Sequence, residues 1–253
     1  MLIRAVLFDL GNTLMYPVAP DLWPEVIRRG NKAMMDHLCE LKILADHECD
    51  DFMLEFNQRL HQYYDERDKQ MVETSTFLVL KELLEEKGYS NVSDAVIRES
   101  LDAHYAVTQK NWQLEDDTLT CLKTLQDQKY KLGIVSNAGD HRDVLQLVEK
   151  FKLDPYFEFI LTSAGCRFRK PHYRIFQLAL EKVNAGGGEV AMVGDTLSAD
   201  IRGANRMGMY SIWIKRRSEF PPDDTLPIEP RAIINTLGEL PGLLRELELG
   251  LRM

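Results

Sequence analysis

The chain has 253 residues, 45% of them hydrophobic and 28% charged, an ordinary balance for a folded protein long enough to bury a sizeable core. Its formal net charge of −9 sets the surface against nucleic-acid phosphates and anionic membranes, and no apolar stretch approaches the roughly 18 residues of a membrane span, so neither is an expected partner. Cys39, Cys49, Cys121 and Cys166 include no pair at metal-knuckle spacing and read as reduced thiols. The six histidines form no HxxxH or HxH pair, so no zinc site is expected. The N-terminal apolar run meets Asp9 too early for a secretory segment, and the expected compartment is the cytoplasm.

In chain order, RAVLFD at 4–9 is a short apolar run ending in an acid and followed by Gly11-Asn12, which predicts a buried strand and then a loop. From about 20 to 112 the apolar residues recur at helical spacing, as in Phe52, Phe56, Leu60, Tyr63 and again in Phe77, Leu80, Leu84. Gly88 reads as a helix stop and Ser93 as the cap of the next helix. Beyond 117 the pattern alternates. Helices are predicted at 119–125, 144–151, 173–183, 200–207 and 233–249, with strands at 131–135, 157–162, 190–193 and 210–214. Pro221, Pro222, Pro227 and Pro230 mark a loop. Strands alternating with helices predict βαβ units, and hence an α/β doubly wound parallel sheet. The first strand belongs to that sheet, so the expected core is 1–17 with 113–253, interrupted by a helical insertion at 18–112.

Ligands of an open parallel sheet bind outside the carboxyl ends of its strands. Asp9 follows the first strand; Ser136 and Asn137 follow KLGIV; Asp195 follows VAMVG, with Asp200 five residues on; Lys170 lies on the loop before the 173–183 helix. Clustered carboxylates repel one another unless a cation lies between them, and an all-oxygen set suits Mg²⁺. Mg²⁺ and a lysine together neutralise a phosphoryl group, a hydroxyl and backbone N–H groups bind its other oxygens, and one carboxylate can attack phosphorus. The Gly186-Gly187-Gly188 run precedes a strand, so it is a loop and not a phosphate cradle.

These residues resemble the haloacid dehalogenase superfamily. Its pattern is a strand-end D-x-D-G-T, a strand-end Ser or Thr, a Lys and G-D-x-x-x-x-D, matched in order by FDLGNTL, IVSNAGD, RKPHYRIF and VGDTLSADIRGA. The resemblance covers about 1–17 and 113–220 and implies a helical cap for the insertion. It implies a Mg²⁺-dependent hydrolase of a small phosphorylated metabolite, working through an aspartyl phosphate on Asp9. Asp9, the Gly11 carbonyl, Asp195 and Asp200 would form the metal site. Ser136, Asn137 and Lys170 would hold the phosphoryl group, with Lys170 also neutralising charge. No oligomeric state follows.

The sequence departs from the pattern at Gly11, where the family's phosphatases carry a second Asp that protonates the leaving group and activates water; Asn12 replaces the usual Gly. General acid–base catalysis is worth about 10²–10⁴-fold, so its loss implies slow turnover. Two rivals follow: a metal-free 2-haloacid dehalogenase, which the intact G-D-x-x-x-x-D opposes, and a non-catalytic phospholigand-binding protein, which Gly11 favours.

Overall fold

A computed structural model describes residues 2–45, 47–217 and 228–250, leaving out the side chain of residue 68. In chain order the elements are β1 (Ala5–Phe8), β2 (Met15–Pro17), α1 (Trp23–Glu40), α2 (Cys49–Gln70), α3 (Thr76–Glu86), α4 (Asp94–Thr108) and β3 (Trp112–Leu114). They continue as α5 (Thr118–Asp127), β4 (Lys131–Ser136), α6 (His141–Lys150), β5 (Phe159–Thr162), α7 (Ser163–Cys166), α8 (Tyr173–Val183) and β6 (Val190–Gly194). The last are α9 (Arg202–Arg206), β7 (Tyr210–Ile214), β8 (Ala232–Ile234) and α10 (Leu240–Glu248).

Six strands form one parallel sheet in the order β5-β4-β1-β6-β7-β8. Helices cover both faces, so β1 and β6 are buried at every position and read as continuous apolar runs. The two-residue period still sorts their side chains. Val6, Phe8, Ala191 and Val193 join one apolar layer, and Ala5, Leu7, Val190 and Met192 join the other.

The insertion is helical, as the spacing predicts. Helices α1–α4 enclose their own apolar cluster around Met34, Leu38, Phe56, Leu80 and Ile97. Ser93 Oγ accepts the Val96 N–H at the start of α4, and Gly88, after α3, takes φ +91°. The chain enters and leaves this block through the two-stranded antiparallel ribbon β2–β3, which pairs Tyr16 with Gln113 and Pro17 with Trp112. Ion pairs tie the block to the core beside α6: Arg98 to Asp140 and Arg142 to Asp102, each at 2.8 Å.

Four sequence expectations need correction. Cys39 and Cys49 are disulfide-bonded and tie the end of α1 to the start of α2, while Cys121 and Cys166 are free. The 233–249 segment is not one helix: Ala232–Ile234 adds a parallel edge strand with alternating burial, and α10 starts only at Leu240, with Pro241 in its first turn. The 200–207 helix opens in a widened π turn over Leu197–Ile201, with α9 following. The strand expected from 157 starts at Phe159, after a 3₁₀ turn at Asp154–Tyr156. Of the four loop prolines, Pro221, Pro222 and Pro227 lie outside the described residues. Among the described residues, no helix is long and apolar enough to cross a membrane.

His104 on α4 is buried, and a Cβ at Gly30 of α1 would lie 2.8 Å from its Nδ1. Burial pushes its imidazole down to about 4. The folded state therefore holds His104 neutral while the unfolded chain protonates it near 6.5, so stability is lost as pH falls from about 6.5 to 4. The whole shift corresponds to about 3 kcal/mol. Urea unfolding at pH 7 and pH 4.5 should show a larger stability loss in wild type than in His104→Leu; an equal loss would mean that His104 titrates normally.

Candidate functional site

Strands β4, β1 and β6 are neighbours and run in the same direction, so their carboxyl ends share one rim. Asp9, Ser136 and Asp195 stand there, and all three are buried. The loop between α7 and α8 brings Lys170 under them. Its Nζ donates to Asp9 Oδ1 at 2.5 Å and to the Val135 carbonyl at 2.7 Å. It also lies 2.7 Å from Asp200 Oδ1, an ion pair without hydrogen-bond geometry. Asn137 fixes the lysine's backbone on both sides: its Oδ1 accepts the Lys170 N–H at 2.8 Å, and its Nδ2 donates to the Lys170 carbonyl at 3.0 Å. The Lys170–Pro171 peptide is cis.

Local packing explains the spacing of the acidic motif. The Thr196 N–H donates to Asp200 Oδ2 at 3.0 Å, and the Thr196 hydroxyl donates to Asp195 Oδ1 at 3.2 Å. Trp213 Nε1 on β7 donates to the Asp195 carbonyl at 2.8 Å. Asp200 folds back over Gly194, where a Cβ would lie 2.3 Å from the Asp200 carboxyl carbon; only glycine admits that approach.

Oxygens of Asp9, Asp195 and Asp200 lie within 4.8 Å of one another. Burial, followed by the Asp9 and Asp200 charges, pushes the Asp195 carboxyl up to about 8. Burial also pushes Asp200 up to about 6, against the pull of Lys170. For Lys170 itself burial favours the neutral amine, but Asp200 and Asp9 outweigh it and hold the ammonium above its usual range. Three buried carboxylates around one ammonium form an all-oxygen donor set that fits a hard divalent cation.

A pocket of about 200 Å³ brings together all seven residues expected from the sequence: Asp9, Gly11, Ser136, Asn137, Lys170, Asp195 and Asp200. At Gly11 a Cβ would meet the Trp112 ring at 3.4 Å, so an indole borders the place where an acid side chain would start. Asn12 takes φ +57°, the left-handed conformation that asparagine tolerates in place of glycine, and its N–H donates to the Met15 carbonyl at 2.6 Å. Trp112 and Trp23 pack edge to face at 5.5 Å and line a neighbouring cavity of about 560 Å³ that Asn12 also borders. His141 and Arg142 turn away, to Thr162 and Asp102 respectively.

The sequence reading missed Thr196, which stands directly after the G-D pair, and a buried carboxylate at Glu73. Glu73 accepts from Ser163 Oγ at 2.6 Å and pairs with Arg169. Adjacency to the motif is a usable signal for Thr196; nothing in the sequence around Glu73 marks it.

Gly194→Ala should overpack Asp200 at a cost of about 1–3 kcal/mol, which lowers Tm by several degrees at roughly 2–4 °C per kcal/mol. Gly188→Ala, where a Cβ meets nothing within 4 Å, should leave Tm unchanged. Equal melting temperatures for the two variants would show that Asp200 yields freely.

Residues 3–208 match the family model described as haloacid dehalogenase-like hydrolase. The chain is 32% identical over 247 residues to a ribulose-1,5-bisphosphate 5-phosphatase of Halopiger xanaduensis, an alignment covering 94% of this chain and 98% of that one. Its structure is similar to the crystal structure of a 2-haloacid dehalogenase from Pseudomonas syringae (TM-score 0.69, 25% identity, covering 97% of this chain and 100% of the other). It is also similar to a HAD phosphatase from Thermococcus onnurineus (TM-score 0.58, 26% identity, covering 96% and 98%). The chain therefore belongs to the haloacid dehalogenase-like hydrolases.

Proposed function

We propose that the protein hydrolyses small phosphate monoesters with Asp9 as nucleophile and Mg²⁺ as cofactor. The observation that carries this reading is the convergence of Asp9, Lys170, Asp195 and Asp200 in one pocket with Ser136 and Asn137. The phosphatase-named relative supports the reaction class. We take 18–112 as the cap and 1–17 with 113–253 as the core, and the cytoplasm as the compartment, although a Cys39–Cys49 disulfide is more usual in oxidising surroundings.

Asp9, the Gly11 carbonyl, Asp195 and Asp200 would hold the metal, which when bound offsets phosphoryl charge. The remaining work falls to the chain. An Asp9 oxygen forms a bond to phosphorus as the ester P–O bond breaks, the leaving oxygen taking its proton from solvent, and water then cleaves the acyl phosphate, releasing inorganic phosphate and restoring the Asp9 carboxylate. The Lys170 ammonium donates to Asp9 and to the Val135 carbonyl and lies beside Asp200 as an ion pair. Binding a phosphoryl group exchanges the Asp9 contact for a phosphoryl oxygen and frees Asp9 to attack. Asn137 acts as a positioning residue, because its side chain is committed to the Lys170 backbone. Ser136 supplies a hydroxyl to the phosphoryl oxygens.

Position 11 supplies no acid for the leaving group and no base for water. Aryl, acyl and anomeric phosphates need the acid least, so they should be the fastest substrates. The second step should limit turnover, giving a burst of leaving group in the first turnover. With p-nitrophenyl phosphate and Mg²⁺, turnover should vanish in EDTA and in Asp9→Asn. Gly11→Asp should raise the rate, by up to about 10²-fold at the low end of general acid–base effects. Metal-independent halide release from 2-chloropropionate would instead support the dehalogenase reading. Phosphate binding without turnover in wild type and Gly11→Asp alike would support a binding protein.

A further inference from the structure

Glu73 has a fully buried side chain, and the proposed reaction gives it no task. It follows α2 in the helical block, yet its carboxylate reaches the core. Its Oε2 accepts from Ser163 Oγ at 2.6 Å and pairs with Arg169, the residue before Lys170. The Tyr63 hydroxyl of α2 lies 3.0 Å from its Oε1. Backbone contacts hold the same segment to the same core loops. Val72 bridges antiparallel to Phe168, the Glu73 N–H donates to the Arg167 carbonyl at 2.9 Å, and the Arg169 N–H donates to the Met71 carbonyl at 2.9 Å. The Thr76 N–H donates to the Gly139 carbonyl at 2.8 Å. Residues 71–76 thus lie against both loops that carry the candidate phosphoryl-binding residues, 136–139 and 167–170.

The Ser163 hydroxyl has one proton to give. Its contact with Glu73 at 2.6 Å is shorter than that with the Ala138 carbonyl at 3.2 Å. With the proton directed at Glu73, the oxygen's lone pairs accept the Ala138 N–H at 2.9 Å. The carboxylate therefore orients the hydroxyl that holds the residue two after Ser136. Through Arg169 the same oxygen holds the residue before Lys170. Asn137 ties the two loops together inside the pocket, and Glu73, from the helical block, ties them a second time. A buried ion pair is weak support for stability, since apolar residues of similar volume often serve as well. What a carboxylate adds here is direction, because it fixes a hydroxyl and a guanidinium at one point.

We propose that Glu73 is a positioning residue for the phosphoryl site: the helical block supplies this carboxylate to fix the Ser136–Ala138 turn and the Lys170 loop relative to each other. The proposal rests on the phosphoester reading of the Asp9 pocket. Glu73 acts through Ser163 and Arg169 and touches no reacting atom. The phosphoryl site is then complete only with the helical block docked on the core. A misplacement of about 1 Å at a reacting group can cost about 10²-fold in rate, so loss of this tie should be visible in turnover.

The test uses the full chain as wild type, Glu73→Gln, Ser163→Ala and the double variant. Glutamine keeps the size and an acceptor for Ser163 but removes the charge. Kinetics with p-nitrophenyl phosphate and Mg²⁺ are read beside Tm and calorimetric binding of inorganic phosphate. Folded Glu73→Gln should lose about 10- to 10²-fold in kcat/KM, with phosphate affinity falling alongside. Ser163→Ala leaves the ion pair in place and should fall in the same direction. The double variant should lose less than the product of the two single losses, as residues that act through one another do. If Glu73→Gln does not fold, Ser163→Ala decides alone. Wild-type kcat/KM and phosphate affinity in the folded single variants, whatever their Tm, overturns the proposal, since Glu73 would then serve stability only. Losses that multiply in the double variant overturn the action through Ser163.

Amide hydrogen exchange reads the positioning apart from any reaction. In folded Glu73→Gln the amides of Ala138, Arg169 and Lys170 should exchange faster than in wild type, while those of α1 keep their protection. Faster exchange confined to 71–76 overturns the proposal. If wild type neither turns over p-nitrophenyl phosphate nor binds phosphate, the hydrolase reading fails, and joint loss of protection at Ala138 and Lys170 would leave the loop-setting role of Glu73 standing.

Discussion

The site is organised by a charge imbalance: three buried carboxylates face a single buried ammonium within a few ångströms. Lys170 can offset one of them. The excess shows in Asp195, whose carboxyl is driven up to about 8 by burial and by the Asp9 and Asp200 charges. Removing ions from water is expensive, so a fold keeps such a group only where other parts hold it together. Here the parallel sheet sets β4, β1 and β6 side by side, Gly194 lets Asp200 fold back, Thr196 donates to both motif acids, and Asn137 clamps the lysine's loop. The negative charge left over is what a bound divalent cation would offset.

Much of this arrangement was readable in the sequence, because strands buried on both faces are continuous apolar runs and the residue after each run falls on a known rim. That logic placed Asp9, Ser136 and Asp195. It failed where structure depends on partners distant along the chain. The three-residue strands β2 and β3 lack any period of their own, and β8 exists only through pairing with β7. The spacing of ten between Cys39 and Cys49 marked no pairing until the turn after α1 brought the two together.

Gly11 shows both the reach and the limit of a motif. The missing acid is plain in the sequence. That the Trp112 ring borders the vacated volume is not, because Trp112 arrives from β3, at the far end of the helical block. The indole sets apolar ring atoms beside Gly11. An apolar wall strengthens nearby electrostatics where it excludes water, but it gives no proton. On the proposed phosphoester reading, position 11 would offer neither an acid for the leaving group nor a base for water.

The dehalogenase-like fold similarity bears on fold, and the choice between chemistries turns on charge. Displacement of halide from carbon needs one carboxylate nucleophile and no metal. Two further carboxylates beside that nucleophile would only repel one another and the substrate's own carboxylate. Burial makes their burden heavier: Asp200 is almost fully enclosed, with the Lys170 ammonium 2.7 Å from its Oδ1. Three acids with one ammonium among them fit the all-oxygen cation site that the proposed metal-dependent reading requires. On that reading Lys170 would assist the metal rather than stand in for it.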